Sequence, residues 1–143
     1  MPNDDLDPET AARLQMSTTR LARRLRREAG ARLTPSQLSV MASIHRHGTV
    51  TLGALAEFER VAPPTITRVV AKLESDGLVE RTPDPADRRV ARVSTTAAGD
   101  ELVAQARRRK VAWLAERLER LPARDRARIE SALDALERLA DEP

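Results

Sequence analysis

The spacing of the apolar residues constrains this chain most, because it follows the period of an α-helix everywhere except in one stretch. In residues 78–81 and 90–94, two short β-prone runs replace the helical spacing. The intervening residues 82–89 are rich in proline and aspartate, which favour turns. The predicted fold class is therefore mainly α, with one small β-hairpin that carries a long polar loop.

Six helices are predicted from residues that cap or break a helix. Asp7 precedes a proline and an acidic residue, which marks a helix start, and Gly30 marks the end of that helix. Thr34 and Gln37 form a capping box around a proline, and Gly48 ends the second helix. A linker is predicted at 49–50, followed by a third helix over 52–59 with Thr51 as its cap and Phe58 facing inward. The fourth helix is predicted from Pro63 to Gly77, the fifth from Gly99 to about 121, and the sixth after Pro122.

The first and the last predicted helices each carry an apolar seam. The seam residues are spaced by 4, 3 and 4 in both helices, as in a coiled coil. A chain of 143 residues would struggle to cover both seams by itself. The seam residues are Leu14, Thr18, Leu21 and Leu25 in the first helix, and Ile129, Leu133, Leu136 and Ala140 in the last.

Composition excludes several functions. The chain has no cysteine, which rules out a disulfide framework, a thiol nucleophile, a thiol redox sensor and cysteine-ligated zinc. One phenylalanine and one tryptophan are too few for an aromatic platform that stacks nucleic-acid bases. Lysine and arginine exceed aspartate and glutamate by 25 to 22, and no third of the chain is a basic block. The net charge of +3 therefore does not by itself argue for nucleic acid.

The fourth predicted helix, together with the short third helix and the turn between them, matches a helix-turn-helix. Thr65, Thr67 and Arg68 lie in its first two turns, which enter the major groove first in such a motif. The Arg68 fork matches guanine O6 and N7, and either threonine matches a phosphate or a thymine methyl. Lys72 lies on the flank of this face. The alternative for these residues is a solvated or capping role on a helix surface.

The hairpin that follows this helix matches a wing, whose tip can enter the adjacent minor groove. Arg88 and Arg89 lie at the predicted tip, and a guanidinium is favoured in the negative potential of a narrow minor groove. Asp87 can pair with one of the two arginines and fix its direction. The alternative is a surface loop with an incidental ion pair.

Taken in order, these motifs resemble the MarR family of bacterial winged-helix transcription regulators. The resemblance extends over nearly the whole chain, from the first helix to the sixth. One departure is Ala62, since the family often has a serine cap at this place. The matching stretches are Thr51-Leu52-Gly53-Ala54-Leu55-Ala56, Thr65-Ile66-Thr67-Arg68-Val69-Val70, Leu73-Glu74-Ser75-Asp76-Gly77-Leu78-Val79, the wing signature Asp84-Pro85-Ala86-Asp87-Arg88-Arg89, and Thr96-Ala97-Ala98-Gly99.

The resemblance implies a single domain over residues 1–143. Within it, a winged helix-turn-helix region at 34–94 lies between dimerisation helices at 7–30 and 100–141. The first, fifth and sixth helices of two copies are expected to interdigitate in a homodimer, which fits the two apolar seams. Such a dimer is expected to bind a pseudo-palindromic operator in double-stranded DNA, usually as a repressor that a small, often aromatic, ligand releases.

Specific residue roles also follow from the resemblance. Trp113 is expected to line the ligand pocket through its apolar ring, the alternative being a place in the core or in the dimer interface. The residues expected on DNA are Thr65, Thr67 and Arg68 in the major groove, Arg89 with Arg88 in the minor groove, Asp87 as the residue that orients Arg89, and Ser36 and Gln37 on phosphate.

Other classes of function find less support in the sequence. His45 and His47 are two residues apart on a helix and so point to different faces, which does not suit a shared metal ion, and no cofactor or enzymatic activity is expected. The near-neutral middle third keeps a second class open, a winged-helix module that docks a protein instead of DNA. The N-terminus shows no targeting signal and no apolar run reaches the roughly 18 residues of a membrane span. A cytoplasmic protein with no membrane partner is therefore expected.

Overall fold

The chain folds as a mainly helical molecule with one small sheet, as predicted. The computed structural model describes residues 7–30 and 32–141, so the N-terminal segment 1–6, over which no targeting signal is predicted, lies outside the described residues. None of the helices in these ranges combines the length and the apolar character that crossing a bilayer requires. The elements are α1 (Pro8–Glu28), α2 (Pro35–His47), β1 (Val50–Thr51), α3 (Leu52–Glu59), α4 (Pro63–Ser75), β2 (Val79–Pro83), β3 (Ala91–Thr95), α5 (Ala97–Glu119) and α6 (Ala123–Asp141).

Side-chain caps fix where most of these helices begin. Asp7 accepts a hydrogen bond from a first-turn N–H of α1 at 3.0 Å. The capping box of α2 is confirmed, since the Gln37 N–H donates to the Thr34 hydroxyl at 3.2 Å and the Thr34 N–H donates to the Gln37 side chain at 2.9 Å. Thr51 and Thr96 cap α3 and α5 in the same way. Each cap satisfies an N–H group that has no partner inside its helix.

The three strands form an antiparallel sheet in the order β1-β3-β2. Strands β2 and β3 are the predicted hairpin, and their bounds lie one or two residues further along the chain than predicted. The prediction of a linker at 49–50 is wrong, because Val50 pairs with Val93 in β3. A strand of two residues is too short to show the alternation from which strands are predicted.

The buried core lies between α2, α3, α4 and the sheet. Helix α4 contributes one apolar face to this core, with Val69 partly buried beside three buried residues. The prediction that Phe58 faces inward is wrong: it is 47 % exposed, and its ring stacks on that of His47 with 4.2 Å between centroids. The largest fully buried side chains are Met41, Ile44, Leu55, Ile66, Val70, Leu73 and Val93.

Helix α5 packs against this core through Leu102 and Val103, and one glycine in its first turn makes a close backbone contact. A Cβ at Gly99 would lie 2.1 Å from the Leu78 carbonyl oxygen and 2.9 Å from the Met41 side chain. The first turn of α5 therefore approaches the chain at the start of β2 more closely than a residue with a side chain allows. This contact fixes where the long helix leaves the winged region.

The outer helices leave their apolar seams uncovered. Neither α1 nor α6 has a buried residue. Leu21 is 41 % exposed in α1, and Leu133 is 46 % exposed in α6. The seams predicted from sequence are thus present as exposed apolar faces of the single chain.

Candidate nucleic-acid interface

Helix α4 presents a polar face opposite its buried one. Thr65, Thr67 and Arg68 are exposed together, in its first two turns. The Thr67 hydroxyl donates to the Pro63 carbonyl at 3.0 Å, so its oxygen is left to accept a further hydrogen bond. Within residues 7–30 and 32–141, no carboxylate oxygen lies within 4.0 Å of the Arg68 guanidinium. Arg68 is therefore the member of this face with an unengaged charge.

Lys72 is placed differently from Arg68. It lies one turn further along α4 and forms an ion pair with Asp76, with 2.8 Å between Nζ and the carboxylate oxygen. Both side chains are exposed, so the pair is weak and breaks at little cost. Its predicted DNA contact stays a prediction, and it would have to compete with Asp76.

The N-terminus of α4 offers few backbone donors. Ala62 occupies the cap position and makes no side-chain hydrogen bond to the helix. Pro63 and Pro64, the first two helical residues, have no N–H, and the Thr65 N–H donates to the Ala62 carbonyl at 2.9 Å. The positive end of the helix dipole is present here, but a phosphate at this end would depend on side chains for hydrogen bonds.

The start of α2 lies beside the start of α4. Ser36 and Thr65 line one cleft of about 350 Å³, together with Arg26 from the last turn of α1. Gln37 has its side-chain oxygen engaged in the capping box, so its amide NH₂ group is the part left to donate to a phosphate. The structure thus brings one predicted phosphate donor, Ser36, and one predicted major-groove residue, Thr65, to the same cleft.

The wing is built around Asp84, which the sequence marked only as a turn former. Asp84 is 8 % exposed and is the buried charged residue of the described chain. Its carboxylate accepts a hydrogen bond from the Arg92 guanidinium and two more from the backbone N–H groups of Ala86 and Asp87. Donation by Arg92, and then by the two N–H groups, holds the pKa of Asp84 below its usual value. One buried carboxylate therefore ties the loop to strand β3.

Arg89 is held in place by Asp87, as predicted. The two side chains pair through two parallel hydrogen bonds, Nε to Oδ1 at 3.0 Å and a terminal nitrogen to Oδ2 at 3.1 Å. The pair lowers the pKa of Asp87 and raises that of Arg89. Even so, the Arg89 side chain is 91 % exposed, so it projects from the loop. Arg88 beside it is also exposed.

Sequence reasoning missed the part that Arg92 takes in the wing. The ladder pairs Arg92 with Thr82, two residues before Asp84. This register brings a strand arginine close to a loop aspartate, eight positions away in the chain. The sequence shows that both charged residues lie in one hairpin, but which residues pair can be predicted only once the strand register is known.

A cavity of about 380 Å³ lies between α1, α2 and α5. Its walls combine apolar residues such as Leu38 and Val103 with the cations Arg26, Arg107 and Lys110. Trp113, the predicted ligand contact, does not line it. Trp113 is partly buried further along α5, where the Arg117 guanidinium lies 4.1 Å from the centre of its ring.

The two histidines of α2 contact different residues. His45 Nδ1 lies 3.0 Å from Asp100 Oδ1, whereas His47 stacks on Phe58. Donation from the Thr95 hydroxyl, and then the contact with His45, lowers the pKa of Asp100. Across the part of the chain that the structure describes, no cluster of three or more histidine, aspartate and glutamate side chains is arranged to hold a metal ion.

A short helix, a tight turn, an exposed polar helix face and a two-stranded wing with an arginine at its tip define a winged helix-turn-helix protein. Residues 33–91 match the model of the MarR family. The chain is 43 % identical over 139 residues to the HTH-type transcriptional regulator Mb0904 of Mycobacterium bovis. The matched residues cover 96 % of this chain and 97 % of that protein. This chain therefore belongs to the MarR family.

Solved structures show the same fold. A putative transcriptional regulator of Pseudomonas aeruginosa superposes with a TM-score of 0.85 at 33 % identity, covering 97 % of this chain and 99 % of that one. A cysteine-to-serine mutant of MarR from E. coli, in complex with operator DNA, superposes with a TM-score of 0.64 at 25 % identity, covering 90 % of this chain and 94 % of that one. The chain is a transcriptional regulator of this family by descent and by fold.

Proposed function

We propose that this protein is a repressor that binds a pseudo-palindromic DNA operator as a homodimer and is released by a small anionic ligand. The observation that carries the proposal is the exposed Arg89, fixed by two hydrogen bonds to Asp87 at the tip of the wing. A guanidinium held in one direction loses little conformational freedom when it enters a minor groove. Helix α4 supplies the matching major-groove face with Thr65, Thr67 and Arg68.

Two copies of this chain are needed to read a pseudo-palindrome. The exposed seams of α1 and α6 support a dimer, since burying each leucine or isoleucine contributes about 1.5–3 kcal/mol. A two-fold dimer presents the same wing and the same helix to both half-sites, and the spacing between the half-sites then follows from the geometry of the dimer. A regulator of chromosomal genes would act in the cytoplasm.

The cavity between α1, α2 and α5 supports the proposed release by a ligand. Three cations on an apolar wall suit a small aromatic carboxylate. Arg26 lines this cavity and also the cleft that holds Ser36 and Thr65. A ligand carboxylate that attracts Arg26 would therefore disturb the side of the molecule assigned to DNA.

The experiment that tests the DNA-binding function compares wild type with Arg89→Ala by fluorescence anisotropy on DNA from upstream of the protein's own gene. Loss of the guanidinium should weaken binding about tenfold and reduce the slope of log K against log salt by about 0.9. Arg46→Ala is the matched control, because Arg46 is an exposed arginine in the last turn of α2. Equal affinity and slope for wild type and Arg89→Ala would contradict the wing assignment, and no binding of wild type to any DNA would favour a protein-docking module.

A further inference from the structure

Arg60 has a backbone conformation that its own side chain disfavours. It lies in the turn between α3 and α4 with φ 53° and ψ 43°, in the left-handed region. Every other described residue with a positive φ is a glycine. A Cβ in this region crowds the following carbonyl oxygen, whereas glycine adopts it freely. The conformation of the turn therefore does not explain why an arginine is present.

The surrounding residues hold this turn in place. The Glu59 carboxylate, immediately before Arg60, accepts hydrogen bonds from the Ser39 and Ser43 hydroxyls of α2. The Arg60 N–H donates to the Glu57 carbonyl at 3.1 Å, and the N–H of the following residue also donates to a carbonyl of α3. A disfavoured backbone conformation persists where its neighbours determine it in this way. The arginine is thus kept at a fixed point, three residues before α4 begins.

The first turn of α4, which follows this turn, lacks the free backbone N–H groups that bind a phosphate at other helix N-termini. Its first two residues are prolines and the Thr65 N–H is engaged with the Ala62 carbonyl, so the first turn presents hardly any free backbone donor. Arg60 is exposed, and in residues 7–30 and 32–141 no carboxylate oxygen lies within 4.0 Å of its guanidinium. The guanidinium carries five N–H donors, and Arg60 precedes by three residues a helix whose first turn has no free backbone donor.

We propose that Arg60 is a further DNA-binding residue, which contacts a phosphate of the DNA backbone beside the N-terminus of α4. The inference rests on the proposed DNA-binding function and adds a contact that reads no base. A phosphate contact positions the recognition helix and strengthens binding to every sequence alike. Glu59 and its two serine partners act as positioning residues for this contact.

The test uses variants that suit the turn but differ in charge. Arg60→Asn and Arg60→Gly both tolerate the left-handed conformation and remove the guanidinium, whereas Arg60→Lys keeps the positive charge. Each is titrated against a fluorescein-labelled DNA duplex of random sequence at several salt concentrations. Arg46→Asn, an identical exchange at an exposed site in α2, is the matched control.

The Asn and Gly variants should melt at or above the wild-type temperature, bind several-fold more weakly and lose about 0.9 from the slope of log K against log salt. The Lys variant and the Arg46→Asn control should keep the wild-type slope. Wild-type slopes for both Asn and Gly variants would overturn the inference, even if their affinity fell. No binding of wild type to any duplex would instead contradict the proposed function itself.

Discussion

Two aspartates in the wing have different structural roles, although they are only three residues apart. Asp84 is buried and fastens the loop to β3 through Arg92, whereas Asp87 is more exposed and directs Arg89. The sequence predicted the second pairing, because Asp87 and Arg89 are close in the chain. It did not predict the first, because Asp84 and Arg92 meet only across the hairpin.

The ion pair of Asp84 makes the wing sensitive to acid. The pKa of Asp84 is lowered in the folded state, so its ionised form stabilises the fold above the unfolded value of about 3.9. This stabilisation is lost as the pH falls through the folded pKa. Asp84→Asn should therefore melt below wild type at pH 7, and the difference should shrink when both are melted near pH 3. A difference that stays constant over this range would contradict the assignment.

Gly99 is a second residue whose role depends on its neighbours. Gly99→Ala places a Cβ within 2.1 Å of a backbone oxygen, and we expect a loss of about 1–3 kcal/mol in the free energy of unfolding by urea. Gly53→Ala is the matched control, since its nearest neighbour is a hydroxyl at 4.0 Å and a helical alanine gains about 0.5–1 kcal/mol over glycine. Equal stability of the two variants would show that α5 can move away at no cost.

At the scale of elements, the missing cap of α4 stands out. Asp7, Thr34, Thr51 and Thr96 cap α1, α2, α3 and α5, but Ala62 makes no side-chain hydrogen bond to α4. Ala62 nevertheless has the extended backbone that a cap requires, with φ −63° and ψ 140°. The helix that we assign to the major groove thus begins without a side-chain cap.

Ala62→Ser should supply the missing cap. Pro63 and Pro64 leave only the Thr65 N–H for a cap, and the Ala62 carbonyl already accepts it. A serine hydroxyl would share this donor, so we expect about 0.5 kcal/mol of added stability in urea unfolding. Ala71→Ser, an identical exchange at an exposed position inside α4, should instead cost a few tenths of a kcal/mol, about the difference in helix propensity. A loss of stability in both variants would mean that the turn cannot accommodate a cap.

Most elements were predictable from the sequence, and the exceptions share one cause. The capping box at Thr34 and the breaks at Gly48 and Pro122 are local signals, so the helices they bound were predicted closely. Strand β1 and the exposed Phe58 were not predicted, because each depends on a partner elsewhere: β1 on β3, and Phe58 on His47. Short-range patterns cannot show which distant segment will be beside them.

At the scale of the whole molecule, the open seams predict a dimer. Leu133→Asp places a charge in the seam of α6, and we expect sedimentation velocity to shift from a dimer towards a monomer. Ala127→Asp is the control, because it lies on the opposite side of the same exposed helix. A wild type that sediments as a monomer at micromolar concentration would contradict the dimer, and dimerisation equal to wild type in Leu133→Asp would move the interface elsewhere.

The sequence by itself determined the mainly helical class, the position of the wing, the exposed polar face of α4 and the apolar seams. These follow from caps, periodicity and spacing, all of which act between residues close in the chain. Only the tertiary structure decided that Asp84 binds Arg92, that Gly99 lies against Leu78 and that Arg60 is held in a left-handed turn. The physical reason is that these contacts form only after strand register and helix packing have brought distant residues together, and neither is recorded in any local pattern.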